Sequence, residues 1–303
     1  MYDLIIIGSG PAGLSAAIYA RRAGLNLLVL EKNPMSGGQV LNTYEVDNYL
    51  GMPGADGFDM GMKFREHADK LEVSFKEASA LSIEDKNGVK IINTDQGPLE
   101  AKSVILAAGA THAALEVKGE TEFSGKGVSY CATCDGAFFQ GKTVAVVGGG
   151  DVALEDAIYL SRICEKVYLI HRRDELRGAH ILQEQLKALP NVEFLYSHVV
   201  EEILGGAAVE GLQVRNRKNG ESFTLPVEGV FVAVGIHPGT ELVQGLVDCD
   251  EAGYVLAGED CVTSMPGIFA AGDVRKKPIR QIATAVADGA NAAVSAENYV
   301  GSK

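Results

Sequence analysis

One pattern occurs twice in this chain and limits its fold more than any other: a short apolar run, a glycine-rich turn, a helix-forming stretch and a second apolar run. In the first copy, residues 3–7 read as a buried strand, Gly8-Ser9-Gly10-Pro11-Ala12-Gly13 as the turn, 14–23 as a helix stopped by Gly24, and 25–30 as a strand. In the second, 143–147 is strand-like, Gly148-Gly149-Gly150-Asp151-Val152-Ala153 is the turn, 154 to about 163 is helical, and 167–170 is strand-like. A duplicated βαβ unit makes the chain an α/β protein. Each copy is followed by a hairpin signal, Asn87-Gly88 and Asn219-Gly220, and then by an apolar strand closing on glycine, 104–109 and 230–235.

A strand before and a helix after each glycine turn is the setting in which such a turn holds a dinucleotide. The first glycine permits the tight turn and the second admits a pyrophosphate. The third, Gly13 or its small substitute Ala153, lets helix and strand pack closely. The phosphates then sit at the positive end of the helix. The next informative position is the end of the second strand, where a carboxylate can accept hydrogen bonds from a ribose diol. Glu31 stands there, 23 positions after Gly8. The residue 23 positions after Gly148 is His171, which opens the run His171-Arg172-Arg173-Asp174-Glu175-Leu176-Arg177. Arginines welcome a 2′-phosphate that a carboxylate would repel, through paired hydrogen bonds. The first site therefore fits the adenosine of FAD and the second fits NADPH. The alternative for the basic run is a solvated charged face.

Composition narrows the class. A length of 303 residues with 47% apolar and 22% charged content suits two ordinary globular domains. A net charge of −13 argues against nucleic acid as a partner. No basic, apolar leader is visible at the start and no run approaches the ~20 apolar residues of a membrane span, so the expected location is cytoplasmic, with no membrane partner. Five cysteines are too few and too scattered for a disulfide framework, which leaves Cys131-Ala132-Thr133-Cys134-Asp135-Gly136 as the chemical feature. Such a pair can close a small disulfide ring. Zinc would need a second ligand pair, and neither another CxxC nor an HxxxH stretch exists, so no metal is expected. Asp135 could relay a proton to a sulfur or could simply cap a turn. Cys164, Cys249 and Cys261 read as packing residues, and His67, His112, His180, His198 and His237 as structural.

Taken in order, the turn at 8–13, CATCDG at 131–136, GGGDVA at 148–153 and the HRRxxxR run closely resemble the low-molecular-weight thioredoxin reductases. Further family-like stretches are Gly37-Gly38-Gln39, Glu45-Val46-Asp47-Asn48, TSMPGIFAAGD at 263–273, and Arg280-Gln281 before a small-residue helix. The resemblance spans essentially the whole chain. It implies two Rossmann-like dinucleotide-binding domains, the second inserted in the first. An FAD domain would comprise 1–113 and 240–303, and an NADPH domain carrying the CxxC would comprise 114–239.

The resemblance further implies that Gly8, Gly10, Pro11, Ala12, Gly13, Glu31, Gly38, Gln39, Asn48, Gly109, Gly272, Asp273, Arg280 and Gln281 surround FAD. Asp273 would face the ribityl chain, with Arg280 and Gln281 near the isoalloxazine. Without the family, Asp273 reads equally well as a turn acid after Gly272. The NADPH set would be Gly148, Gly150, Asp151, Val152, Ala153, His171, Arg172, Arg173 and Arg177. Val152 stands where the family often has serine or threonine. By the same resemblance Cys134 exchanges electrons with the flavin, Cys131 attacks the disulfide of thioredoxin, and Asp135 is the acid or base. Rotation of the domains between two arrangements and a homodimer are implied too. Rival readings are the same chemistry serving a glutaredoxin-like or peroxiredoxin-system carrier, and a nucleotide-sensing binding module, which would need no redox pair.

Overall fold

The computed structural model describes residues 1–43, 46 and 48–302. Glu45 and Asp47 of the family-like stretch lie outside them. The chain forms two compact units, one from 1–111 with 237–303 and the other from 112–236.

The first unit opens with β1 (Tyr2–Ile7), α1 (Pro11–Arg22) and β2 (Leu27–Glu31). Leu4, Ile5 and Ile6 are fully buried, as expected of a central strand covered on both faces. The chain continues through α2 (Gly57–Lys70), β3 (Phe75–Glu77), β4 (Ala80–Lys86), β5 (Val89–Thr94) and β6 (Gly97–Leu106). The Asp56 side chain caps α2 by accepting from the Phe58 and Asp59 amides. Asn87 and Gly88 both have positive φ, 56° and 84°, which gives the tight turn expected between β4 and β5. The strand order is β3-β2-β1-β6-β5-β4. β6 serves two sheet styles: residues 97–101 run antiparallel to β5, and 101–106 run parallel to β1.

The second unit is entered through β7 (Ala110–His112). It contains β8 (Val128–Ser129), the single-turn α3 (Ala132–Asp135), β9 (Thr143–Gly148), α4 (Asp151–Ser161), β10 (Lys166–His171), α5 (His180–Lys187) and β11 (Val192–Tyr196). Next come β12 (His198–Gly205), β13 (Val209–Asn216), β14 (Ser222–Leu225) and β15 (Gly229–Ala233). A parallel sheet of order β11-β10-β9-β15-β8 lies with the antiparallel β12-β13-β14. The turn at Asn219-Gly220 is wider than its sequence suggests. Asn216 Oδ1 accepts from the Lys218 amide at 2.8 Å, starting the turn three residues early, and only Gly220 has positive φ.

The chain returns through β16 (Ile236–Pro238), which pairs with β7, and then adds β17 (Ile268–Ala270) and α6 (Ile282–Gly301) to the first unit. β17 extends the sheet beside β6, with Phe269 opposite Ile105. α6 packs on α1 through small residues, Ala285, Ala292, Ala293 and Ala296 against Ala12, Ala16, Ala17 and Ala20. The approach is so close that a Cβ at Gly289 would lie 2.1 Å from the Ala12 carbonyl. Both glycine turns thus sit where a parallel strand ends and a helix begins. In open α/β sheets that is where ligands bind.

Candidate functional site

In the first unit the turn of residues 8–13 gathers other segments around it. Gly8 has φ +102°, and a Cβ at Gly13 would stand 1.9 Å from the Gly8 carbonyl, so helix and strand meet there only because Gly13 has no side chain. Gly10 is different: its side-chain direction is open save for the Gly38 Cα at 3.9 Å. The Gly37 amide donates to the Ser9 carbonyl at 2.9 Å, which places Gly38 over the turn, while Gln39 is exposed. On the other side a Cβ at Gly272 would lie 2.8 Å from that of Ala12. Glu31 ends β2 facing the turn, where its Oε2 accepts from the Ser9 amide at 2.9 Å and from the Ser9 hydroxyl at 2.7 Å.

Asp273 follows Gly272, whose amide is held by Asp288 Oδ2 at 3.0 Å. Asp288 is buried on α6 and takes a two-point contact from Arg275, at 2.8 and 2.6 Å. Lys277 Nζ lies 3.2 Å from both Asp273 and Asp288. Among the described residues two buried polar atoms here have no hydrogen-bond partner: Asp273 Oδ1, whose contact with Lys277 lacks hydrogen-bond geometry, and Arg280 Nε. The Arg280 guanidinium rests 4.0 Å from the Tyr254 ring centroid. Gln281, the first turn's cap on α6, accepts from Asn48 Nδ2 at 2.9 Å. Gly109 has φ +69° with open space beside it. Buried polar atoms are normally satisfied, so orphans beside an open glycine turn fit a polyhydroxylated, phosphorylated ligand supplying the partners. Sequence reasoning missed Lys277 and Asp288, which lie in no recognisable spacing, and Ser9, a variable position of the glycine turn whose bond to Glu31 only the fold shows.

In the second unit the turn of 148–153 is built alike. A Cβ at Gly148 would meet the Ala233 carbonyl at 2.4 Å, the side-chain direction of Gly150 is open, and Ala153 is fully buried against Gly148. The basic run folds back over this turn: the Arg177 and Gly178 amides both donate to the Gly149 carbonyl, at 2.7 and 3.1 Å. Asp151 contributes to that fold rather than pointing into free space, since its Oδ1 accepts from the Ala179 amide at 2.7 Å. Val152 is exposed. His171 ends β10 with its ring against Gly149, where any Cβ would be 2.3 Å away, and its Nε2 is buried without a partner. Burial, with Arg177 and Arg173 nearby, holds the imidazole below its usual proton affinity. Arg172, Arg173 and Arg177 are exposed, and none forms an ion pair among the described residues. An additional cation, Arg217, joins them by donating to the Arg172 carbonyl at 3.0 Å.

The same unit carries the cysteine pair. Cys131 and Cys134 form a disulfide with Cα atoms 5.3 Å apart, and α3 begins immediately after Cys131. Gly136 lets α3 settle on α4, because a Cβ there would press on Tyr159, Ile163 and Leu160. Burial raises the proton affinity of Asp135, and a hydrogen bond from Ser129 partly opposes that rise. Behind the pair, buried Glu120 accepts from the Leu115 and Glu116 amides and from the Tyr130 hydroxyl at 2.8, 2.7 and 2.8 Å. Tyr130, adjacent to Cys131, is thereby fixed and its phenol pushed well above the usual range. Neither Ser129 nor Glu120 carries a sequence signal beyond nearness to the CxxC.

Two sheets, each with a parallel strand leading into an open glycine turn, and a CxxC disulfide beside a half-buried carboxyl group define a two-nucleotide disulfide oxidoreductase. The sequence matches the pyridine nucleotide-disulphide oxidoreductase family over residues 2–289. A thioredoxin reductase of Listeria innocua is 42% identical over 301 residues, covering 99% of this chain and 94% of that protein. The crystal structure of thioredoxin reductase from Streptococcus pyogenes is 43% identical, with TM-score 0.96 over 100% of this chain and 99% of that one. The Lactococcus lactis thioredoxin reductase in its FR conformation is 42% identical, with TM-score 0.68 over 100% of both chains. The chain belongs to the thioredoxin reductases of the pyridine nucleotide-disulphide oxidoreductase family.

Proposed function

We propose that this enzyme holds FAD on the unit of 1–111 and 237–303, binds NADPH on the unit of 112–236, and reduces the disulfide of thioredoxin through Cys131 and Cys134. When bound, FAD supplies a carrier that takes a hydride from NADPH and gives an electron pair to a disulfide. Glu31 would receive the adenosine ribose, the 8–13 turn the pyrophosphate, and the orphaned Asp273 and Arg280 atoms the remainder of FAD. Arg172, Arg173 and Arg177 would clamp the 2′-phosphate of NADPH while the 148–153 turn takes its pyrophosphate.

Cys134 is the sulfur that accepts the electron pair, and Cys131 is the one that attacks. The Cys131 thiolate breaks the partner's S–S bond and forms a mixed disulfide, and the departing partner thiolate takes the proton of Asp135. The Cys134 thiol then returns a proton to Asp135 and attacks Cys131, which restores the enzyme disulfide and releases the second partner thiolate. Two electrons pass to the partner, and Asp135 ends as it began. A cytoplasmic location and a homodimer accompany this reading.

The observation that carries it is the closed Cys131–Cys134 disulfide, on the same unit as a glycine turn crossed by unpaired arginines. Purified protein is expected to be yellow, and NADPH is expected to bleach it far faster than NADH. Cys134→Ser should still be bleached by NADPH but should not reduce thioredoxin. Thioredoxin turnover by that variant would remove the pair from the electron path.

A further inference from the structure

Ser129 ends β8 two residues before Cys131, and it is only 5% exposed. Its Oγ lies 2.5 Å from Asp135 Oδ2, accepts from the Cys131 amide at 3.1 Å, and stands 3.3 Å from the Cys131 carbonyl oxygen. A serine hydroxyl has one hydrogen to donate and two lone pairs to accept with. The hydroxyl therefore cannot donate to the Asp135 carboxylate and the Cys131 carbonyl at once, and the number of protons on Asp135 decides which it serves.

With Asp135 ionised, the hydroxyl donates to its carboxylate while the Cys131 amide donates to Oγ. With Asp135 protonated, the acid donates to Oγ, the Cys131 amide keeps its bond, and the serine hydrogen is left to turn toward the Cys131 carbonyl. No heavy atom moves between the two patterns, and neither leaves Asp135 or Ser129 without a partner. The patterns are not equal in strength. The Cys131 carbonyl already takes the Cys134 and Asp135 amides, at 3.2 and 3.1 Å, so its hold on a third hydrogen is the weaker one. Ser129 thus favours the ionised acid and counters the burial that favours the neutral one.

We propose that Ser129 is the positioning residue for proton transfer at Asp135, turning one hydroxyl hydrogen between the Asp135 carboxylate and the Cys131 carbonyl as the acid gives up and regains its proton. The inference rests on the reading of Asp135 as the acid and base of the exchange step. Among the described residues no other side chain hydrogen-bonds Asp135. α4, the helix packed on α3, brings Tyr159 against Gly136 and carries Asp156 one turn before Leu160, and neither side chain hydrogen-bonds Asp135 among the described residues. No lysine or arginine forms an ion pair with it among the described residues; burial raises its proton affinity and the Ser129 hydrogen bond opposes that rise.

The test is the single-turnover rate at which pre-reduced holoenzyme is oxidised by excess oxidised thioredoxin, followed across pH. In the wild type this rate should fall as pH rises through the Asp135 titration, because the departing thiolate needs its proton. Ser129→Ala should move that midpoint upward by about one pH unit, the worth of one hydrogen bond to a charged group. Ser129→Thr, which keeps the hydroxyl, should restore the wild-type midpoint, a rescue that loss of packing alone would not produce. If Ser129→Ala does not fold, Ser129→Cys, with a much weaker donor, should shift the midpoint in the same direction. Asp135→Asn should abolish the limb. An unmoved midpoint in the serine variants, with the limb lost in Asp135→Asn, overturns the role of Ser129 alone. A limb that survives Asp135→Asn overturns the reading of Asp135, and the role of Ser129 with it.

Discussion

Arg177 shows how one residue can be tied into the backbone and still leave its cation free for the nucleotide proposed above. Its amide is bound to the Gly149 carbonyl, so its position is tied to the glycine turn, while its exposed guanidinium forms no ion pair among the described residues. In a chain with net charge −13, three neighbouring arginines left unpaired are an uncommon concentration of positive potential. Arg177→Ala should raise KM for NADPH about tenfold, the loss of roughly one charge-assisted hydrogen bond, and leave KM for NADH unchanged. Steady-state titration with the two nucleotides checks this, and an equal change in both would assign Arg177 to the turn alone. The register that exposed this site, Glu31 in one copy and His171 in the other, was legible because each lies a fixed distance along a local βαβ unit. Ser9, Ser129 and Glu120 were not legible, because a serine or glutamate that finds its partner through the fold leaves no spacing in the sequence. Asp151 was legible as a turn residue, but its bond to the Ala179 amide depends on where the basic run folds back.

The two glycine turns differ at their third small position, and the element packing explains the difference. Between α1 and β1 a Cβ at Gly13 would lie 1.9 Å from the Gly8 carbonyl, whereas Ala153 occupies the matching place between α4 and β9 fully buried. Gly13→Ala must therefore push α1 off the sheet, and α1 is also the helix on which α6 rests. We expect it to cost about 2 kcal/mol or more by overpacking and to lower flavin content after purification. Ala153→Gly should cost about 1 kcal/mol, chiefly the lost buried methyl, since residue 153 lies in the first turn of α4, and should leave flavin content unchanged. Urea unfolding with flavin absorbance measures both, and similar losses would mean that the two turns share one geometry. The elements themselves were largely readable, since apolar runs bounded by glycine turns form β1, β2, β9 and β10 close to the expected bounds. The hairpin at Asn219-Gly220 was not, because the Asn216 side chain starts that turn earlier. β17 also escapes sequence patterns: three apolar residues do not declare that their neighbour is β6, far back in the chain.

At the scale of the molecule, the unit of 1–111 and 237–303 is assembled from both ends of the described chain, and neither part has a complete core alone. The face of α1 is covered by α6, and the edge of β6 beside Ile105 is covered by β17. Residues 1–111 expressed alone should therefore aggregate, exposing an apolar helix face and a strand edge. The unit of 112–236, by contrast, owns both clusters that fill it, one around Leu154 and Phe231 and one around Val147 and Leu212. Where the chain leaves the first unit and comes back, the Gly239 amide donates to the Gly109 carbonyl at 2.9 Å, so the two cut ends created by removing 112–236 are neighbours. A short glycine linker in place of 112–236 should then give a protein that unfolds cooperatively and retains flavin but is not bleached by NADPH. The excised 112–236 fragment should fold by itself, keep its Cys131–Cys134 disulfide, and bind 2′-phospho-ADP more tightly than ADP in calorimetry. Flavin on the excised fragment, or none on the linked protein, would reverse the assignment of the two nucleotides to the two units.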